Sequence, residues 1–265
     1  MEAMGPIGKT FGGKYRITSE LSRGGMGAVY RAEQTSLGRE VAVKTILASD
    51  DAVANQRFLM EASLTANLNH PNVVRIFDFG RSDDGTLYLV MELLEGMSLD
   101  RWLKTNGALT PTDALRIIQS LCGAMAEAHQ KQIVHRDIKP ANIIVNDRPG
   151  MGISAKIIDF GLVKPMDKTS GVSQTGMVLG TPMYMSPEQI TASGVDDRVD
   201  IYALGLTLYT AITGEQPYPD RGFSSLMHAQ VNECLPLLSE ECEAAGVSPL
   251  VDWIVACASA KAPED

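Results

Sequence analysis

The chain has 265 residues, 45% hydrophobic and 21% charged, which fills one large core or two small ones and excludes disordered, collagen-like and coiled-coil chains. Its 23 basic and 32 acidic side chains leave a net charge of −9, which argues against nucleic acid or an anionic membrane surface as a general partner. Cys122, Cys234, Cys242 and Cys257 make no CxxC or CxxH pair, so reduced thiols in a cytoplasmic protein are expected rather than a disulfide frame or a zinc site.

No secretory leader is expected, because residues 1–10 lack an apolar segment. Over residues 15–94 the apolar runs are short and alternating, at 28–32, 40–44, 73–76 and 87–91, with Gly/Asp/Ser turns such as 82–85 between them. That is the pattern of antiparallel strands. One helical segment, residues 52–68, interrupts them with Phe58, Leu59, Ala62, Leu64 and Leu68 on one face. Residues 146–154 form a long polar segment before the strand 156–158 and read as a surface excursion.

Beyond Leu94 the period turns helical. Ala114, Ile117, Ile118, Leu121 and Met125 keep the helical rhythm, and Thr110-Pro111 supplies an N-cap and an N1 proline ahead of them. Residues 201–212 and 249–258 also read as helices. The apolar stretch 201–214, between Asp200 and Glu215, is too short to span a bilayer and is expected to be buried. The expected class is α+β: an extension (1–14), a β-rich lobe (15–91), a hinge (92–96) and a larger helical lobe (97–265).

Chemistry is concentrated in a few places. Residues 21–29 carry Gly24, Gly25 and Gly27, and glycines let backbone N–H groups approach phosphate. Alone this is a flexible turn. Followed by strand rather than helix, it disfavours a dinucleotide crevice and suits a lid over phosphates. Lys44 ends the strand Val41-Ala42-Val43. Singly such a lysine points to solvent, but beside a buried face it needs an anion, and Glu61 on the next helix is the nearest credible one. Residues 134–142, Val-His-Arg-Asp-Ile-Lys-Pro-Ala-Asn, place Asp137, Lys139 and Asn142 at i, i+2 and i+5, suited to base, phosphate clamp and metal ligand. Asp159-Phe160-Gly161 follows a strand, and Asp159 with Asn142 can hold a hard cation such as Mg²⁺. Each piece has a structural alternative. The ordered set does not.

In this order the motifs resemble a eukaryotic-type (Hanks-type) bacterial Ser/Thr protein kinase, with residues 23–30 and 37–44 carrying the bacterial character. The resemblance runs from Tyr15 to the end and implies a two-lobed fold using ATP and Mg²⁺, with Mn²⁺ as an alternative metal. It implies that Gly24, Gly25 and Gly27 cover the phosphates, and that Leu21, Val29 and Ala42 cover the adenine from above. Lys44 would hold the α- and β-phosphates and pair with Glu61. Glu92 and Leu94 would offer backbone bonds to adenine, with Met91 as gatekeeper and Ile144 as floor. Asp137 would be the catalytic base, Lys139 would neutralise the transferring phosphoryl group, and Asn142 and Asp159 would ligate Mg²⁺. Lys139 and Gly180-Thr181-Pro182 are similar to Ser/Thr rather than tyrosine kinases, with Thr181 aligning a small hydroxyl acceptor near Asp137. The partners implied are a protein substrate with a Ser/Thr acceptor and, as an option, a second kinase domain; the full-length protein could be membrane-tethered. Arg136 calls for an anion, and Ser173 and Thr175 are the candidate autophosphorylation sites.

Some positions depart from the family pattern. Ser22 replaces the first glycine of the phosphate loop, and Ser186-Pro187-Glu188 replaces Ala-Pro-Glu. The chain stops just before the Arg-Pro whose arginine would pair with Glu188, and truncation is the expected reason. An ATP-binding pseudokinase scaffold is the second function class. A small-molecule phosphotransferase is the third, disfavoured by the peptide-docking segment around Thr181 and Glu188.

Overall fold

Period-two burial builds the first part of the chain. In the computed structural model, which describes residues 6–24, 27–46, 52–160, 182–242 and 246–262, two compact units separate. One is Met1–Asn69 with Val73–Glu95, the other His70–Asn72 with Gly96–Asp265.

The first unit carries a six-stranded antiparallel sheet. Its strands are β1 (Thr10–Phe11), β2 (Tyr15–Gly24), β3 (Gly27–Gln34), β4 (Arg39–Ile46), β5 (Ile76–Arg81) and β6 (Leu87–Glu92), in the order β1-β2-β3-β4-β6-β5. Successive side chains in a strand point to opposite faces. Ala28, Tyr30 and Ala32 of β3 therefore join Phe11, Tyr15, Ile17, Val41, Val43, Tyr88 and Val90 in one core cluster. Helix α1 (Ala52–Ala66) packs on β5. The strand expected from residue 73 starts instead at Ile76. Arg75 is tied off the ladder to Glu92, its N–H donating to Glu92 Oε1 at 2.8 Å and its carbonyl accepting the Glu92 N–H at 2.9 Å.

The second unit is mostly helical, with α2 (Leu99–Asn106), α3 (Pro111–Gln130), α4 (Pro187–Thr191), α5 (Arg198–Thr213), α6 (Phe223–Asn232), α7 (Leu238–Glu241) and α8 (Pro249–Ala258). Thr110 caps α3 by accepting the Asp113 N–H at 3.1 Å, with Pro111 in the first turn, as its sequence predicts. Helix α5 is apolar nearly all round and buried accordingly. A Cβ at Gly205 would stand 2.7 Å from Ala258 Cβ, so glycine is what lets α5 and α8 meet closely. No helix among the described residues is long and apolar enough to cross a membrane.

A small sheet, β7 (Met97–Ser98), β8 (Ile143–Arg148) and β9 (Gly152–Ile157), completes the unit. It corrects the reading of residues 146–154 as an excursion. Asn146, Asp147 and Arg148 pair with Ser154, Ile153 and Gly152, leaving only 149–151 as the turn. Ladder pairing uses the backbone, so polar side chains at the exposed end hid a continuing strand.

Candidate active site

Sheet register assembles the first group of predicted residues. Val29 pairs with Lys44, Lys44 with Leu89, and Ala42 with Met91. Residues directly opposite share a face, as do residues two apart, so Val29, Ala42, Lys44 and Met91 lie together on the face opposite the core cluster. Met91 and Ala42 are each 6% exposed. Leu21, exposed on β2, is outside this set. Glu61 lies on α1, half-buried. Gly27 has φ 148°, and a Cβ there would stand 1.9 Å from the Thr45 carbonyl, whereas at Gly24 a Cβ would meet nothing within 4 Å. Glycine is thus required by the sheet at 27 but not at 24.

The second group converges on Asp137, in the loop between α3 and β8. Lys139 Nζ lies 3.0 Å from Asp137 Oδ2, and Asn142 Nδ2 donates to the same oxygen at 3.0 Å and to the Asp137 carbonyl at 2.8 Å. Asn142 sits in the 3-10 turn Pro140–Asn142, 8% exposed. Its carbonyl accepts the Ile158 N–H at 2.8 Å, one residue before Asp159. Asp159 has φ 58° and Arg136 φ 62°, left-handed conformations that for non-glycine residues cluster at functional sites. Ile144 follows on β8.

His135 ties these pieces together. It is fully buried, with Nδ1 accepting the Asp137 N–H at 3.2 Å and Nε2 facing the Ile158 carbonyl at 3.0 Å. That pattern requires the neutral ring protonated at Nε2. Burial pushes its pKa down, which agrees. Its ring lies 4.6 Å from that of Phe160.

The protein kinase domain family model matches residues 15–248. The chain belongs to the protein kinase family. It is 36% identical to serine/threonine-protein kinase pkn3 of Myxococcus xanthus, over 98% of this chain and 48% of that protein. It is 44% identical to serine/threonine-protein kinase PrkC of Bacillus subtilis, over 80% of this chain and 32% of that protein. The crystal structure of the Mycobacterium tuberculosis PknI kinase domain matches with a TM-score of 0.71 at 27% identity, covering 97% of this chain and 91% of that one. The chain spans about half or less of the length of these two curated relatives. They are named Ser/Thr protein kinases, and the chain matches the catalytic domain of this bacterial Hanks-type group. Its family uses ATP with a divalent metal and acts on protein substrates.

The residues that sequence reasoning missed in this kinase domain are those that hold the loop from behind. Asp200 Oδ2 accepts the His135 N–H and Oδ1 the Arg136 N–H, both at 2.8 Å. Gln189 Nε2 donates to the Arg136 carbonyl at 3.2 Å. A signal for Asp200 was available: a carboxylate at the head of a helix otherwise apolar all round has to be buried with partners.

A divalent cation fits the donor set of the kinase domain. Asn142 gives its amide hydrogens to Asp137, which leaves its Oδ1 as an oxygen donor, and Asp159 adds a carboxylate to the donor set. Among the described residues no three His, Cys, Asp or Glu gather as a cage. Mg²⁺ is typically held by one or two protein oxygens together with substrate phosphates and water. Gly25, Gly161, Ser173, Thr175 and Thr181 lie outside the described residues.

Proposed function

We propose that this domain transfers the γ-phosphoryl group of Mg-ATP to a Ser or Thr hydroxyl of a protein. The observation that carries the reading is the convergence of Lys139 and Asn142 on Asp137 Oδ2. A carboxylate held so firmly is oriented before substrate arrives, and positioning with electrostatic stabilisation is most of phosphoryl-transfer catalysis. Asp137 receives the acceptor hydroxyl's hydrogen bond and accepts its proton. Lys139 reaches past Asp137 to the transferring group, and Thr181 aligns the acceptor beside them.

The first unit holds the nucleotide. Lys44, paired with Glu61, takes the α- and β-phosphates beneath the backbone of Gly24, Gly25 and Gly27. Leu21, Val29 and Ala42 cover the adenine, and Met91 is the gatekeeper. Glu92 spends its N–H on Arg75, so its bond to adenine comes from the carbonyl, and Leu94 supplies the N–H. Asn142 and Asp159 hold the Mg²⁺, which when bound neutralises phosphate charge.

Regulation rests on Arg136. Its Nε is buried without a hydrogen-bond partner among the described residues, a costly state that an anion would relieve. Phosphate on Ser173 or Thr175 is the anion proposed. The division into an extension (1–14), an N-lobe (15–91), a hinge (92–96) and a C-lobe (97–265), a cytoplasmic location and pairing with a second kinase domain belong to the same reading.

Asp137→Asn tests the mechanism. Radiolabel transfer to a basic protein and to the domain itself should vanish while ATP binding persists. Undiminished transfer by that variant would sink it. Mass spectrometry after incubation with Mg-ATP should find phosphate between Asp159 and Glu188, and active enzyme without it would refute the role of Ser173 and Thr175.

A further inference from the structure

Near the end of the chain, Lys261 heads a directional line of hydrogen bonds that finishes on the backbone two residues after Thr181. Lys261 Nζ donates to Tyr202 Oη at 2.8 Å. Tyr202 Oη donates to Gln230 Oε1 at 2.6 Å, and Gln230 Nε2 donates to the Met183 carbonyl. Tyr202 is 3% exposed and Gln230 not at all, so the middle link is shielded from competing water. Every step runs donor to acceptor in one sense, and a cation at the head polarises each hydroxyl and amide along the line.

The end of the line is a packed element. Met183 belongs to the 3-10 turn Pro182–Tyr184, and its side chain lies against both the Tyr184–Tyr202–Leu206 and the Tyr218–Leu226–Ala229 clusters. A side branch leaves from Lys261 Nζ to Tyr218 Oη at 3.0 Å, and Tyr218 donates to the Glu233 carbonyl at the C-cap of α6. Burial draws the ammonium down to about 8, against the opposing pull of Cys234 and Glu233. A half-buried lysine whose ammonium is spent on two phenols rather than on water or a carboxylate has a reason other than packing.

We propose that Lys261 is a positioning residue for the protein substrate: acting through Tyr202 and Gln230, it fixes the Met183 carbonyl and with it the backbone against which the acceptor peptide lies. The proposal rests on the reading that the segment around Thr181 and Glu188 docks the peptide. The ammonium of Lys261 is directed not at the Glu188 carboxylate but at two phenols.

Steady-state kinetics on a Ser/Thr peptide chosen by array screening of the wild-type domain test it, with peptide and ATP varied separately. Lys261→Met and Tyr202→Phe should each raise the peptide KM about tenfold, the size of one lost charge-assisted hydrogen bond. The ATP KM should stay within about twofold, and the double variant should be no worse than either single, because one line is cut twice. Lys261→Arg should restore the peptide KM, and Tyr218→Phe, which cuts only the side branch, should leave it unchanged. Thermal stability of Lys261→Met should equal or exceed that of the wild type. Parallel shifts in ATP and peptide KM, multiplying effects in the double variant, or equal damage from Tyr218→Phe and Tyr202→Phe would each overturn the proposal. Met183→Ala separates the two readings. A peptide KM that responds to Met183→Ala but not to Lys261→Met overturns the role of Lys261 alone; no response to either overturns the docking reading with it.

Discussion

His129 Nε2 lies 2.8 Å from Asp200 Oδ2, the same oxygen that accepts the His135 N–H. One carboxylate from α5 therefore holds the backbone just ahead of Asp137, and one imidazole from α3 holds the carboxylate. Arg136 takes its left-handed conformation between them, which aims two successive N–H groups at one acceptor. Rigidity of the candidate base is thus supplied from behind it, by groups that never meet substrate.

Asp200→Asn should be costly although it is isosteric. Both carboxylate oxygens accept backbone N–H groups, so an amide NH₂ must oppose one of them. A loss of about 3 kcal/mol in stability is expected, read by denaturant titration, with turnover falling further than ATP affinity.

The two histidines at Asp200, His129 of α3 and His135 of the loop, should give opposite pH slopes. The Asp200 hydrogen bond raises the His129 pKa, helped by the charges of Asp200 and Asp197 and opposed by burial. Stability from this pair is then full below the unfolded value of about 6.5 and lost as pH rises through the folded one. Unfolding free energies from about pH 6 to about pH 9 should show the gap between wild type and His129→Gln narrowing as pH rises.

His135 behaves the other way. Burial depresses its pKa, so the unfolded chain binds a proton that the folded ring refuses. Stability is full above about 6.5 and falls as pH drops. His135→Phe should abolish that acid-side slope. It should also cost about 2 kcal/mol or more by stranding the Asp137 N–H and the Ile158 carbonyl, and lower turnover.

Gly24→Ala and Gly27→Ala should separate phosphate binding from folding. At Gly27 the added methyl would collide with the Thr45 carbonyl in a left-handed-region backbone, and a loss of about 2 kcal/mol or more is expected by thermal or denaturant melting. At Gly24 nothing stands in the way, so stability should hold within about 0.5 kcal/mol. A raised ATP KM in Gly24→Ala at unchanged stability would mark the loop as a phosphate lid; an unchanged KM would argue that this position is a plain hairpin.

Much of the site was legible in order along the chain. Asp137, Lys139 and Asn142 lie within six residues, so one tight turn suffices to bring them together. The alternation of Val41, Ala42, Val43 and Lys44 already put Lys44 on a defined strand face. Less legible were strand ends. The ladder of β8 and β9 continues through Asn146, Asp147 and Arg148 because backbone pairing is indifferent to polar side chains at an exposed edge.

By itself, the sequence determined the kinase motifs, their order, the sheet face carrying Lys44 and the helix that Thr110 and Pro111 open, since each depends on residues a few positions apart. Tertiary structure alone decided the groups that hold the loop and the turn Pro182–Tyr184. Asp200 reaches His135 across 65 positions, and Lys261 reaches Tyr202 across 59. A buried polar group must find a partner wherever the fold brings one, and sequence spacing carries no trace of a pairing made at that distance.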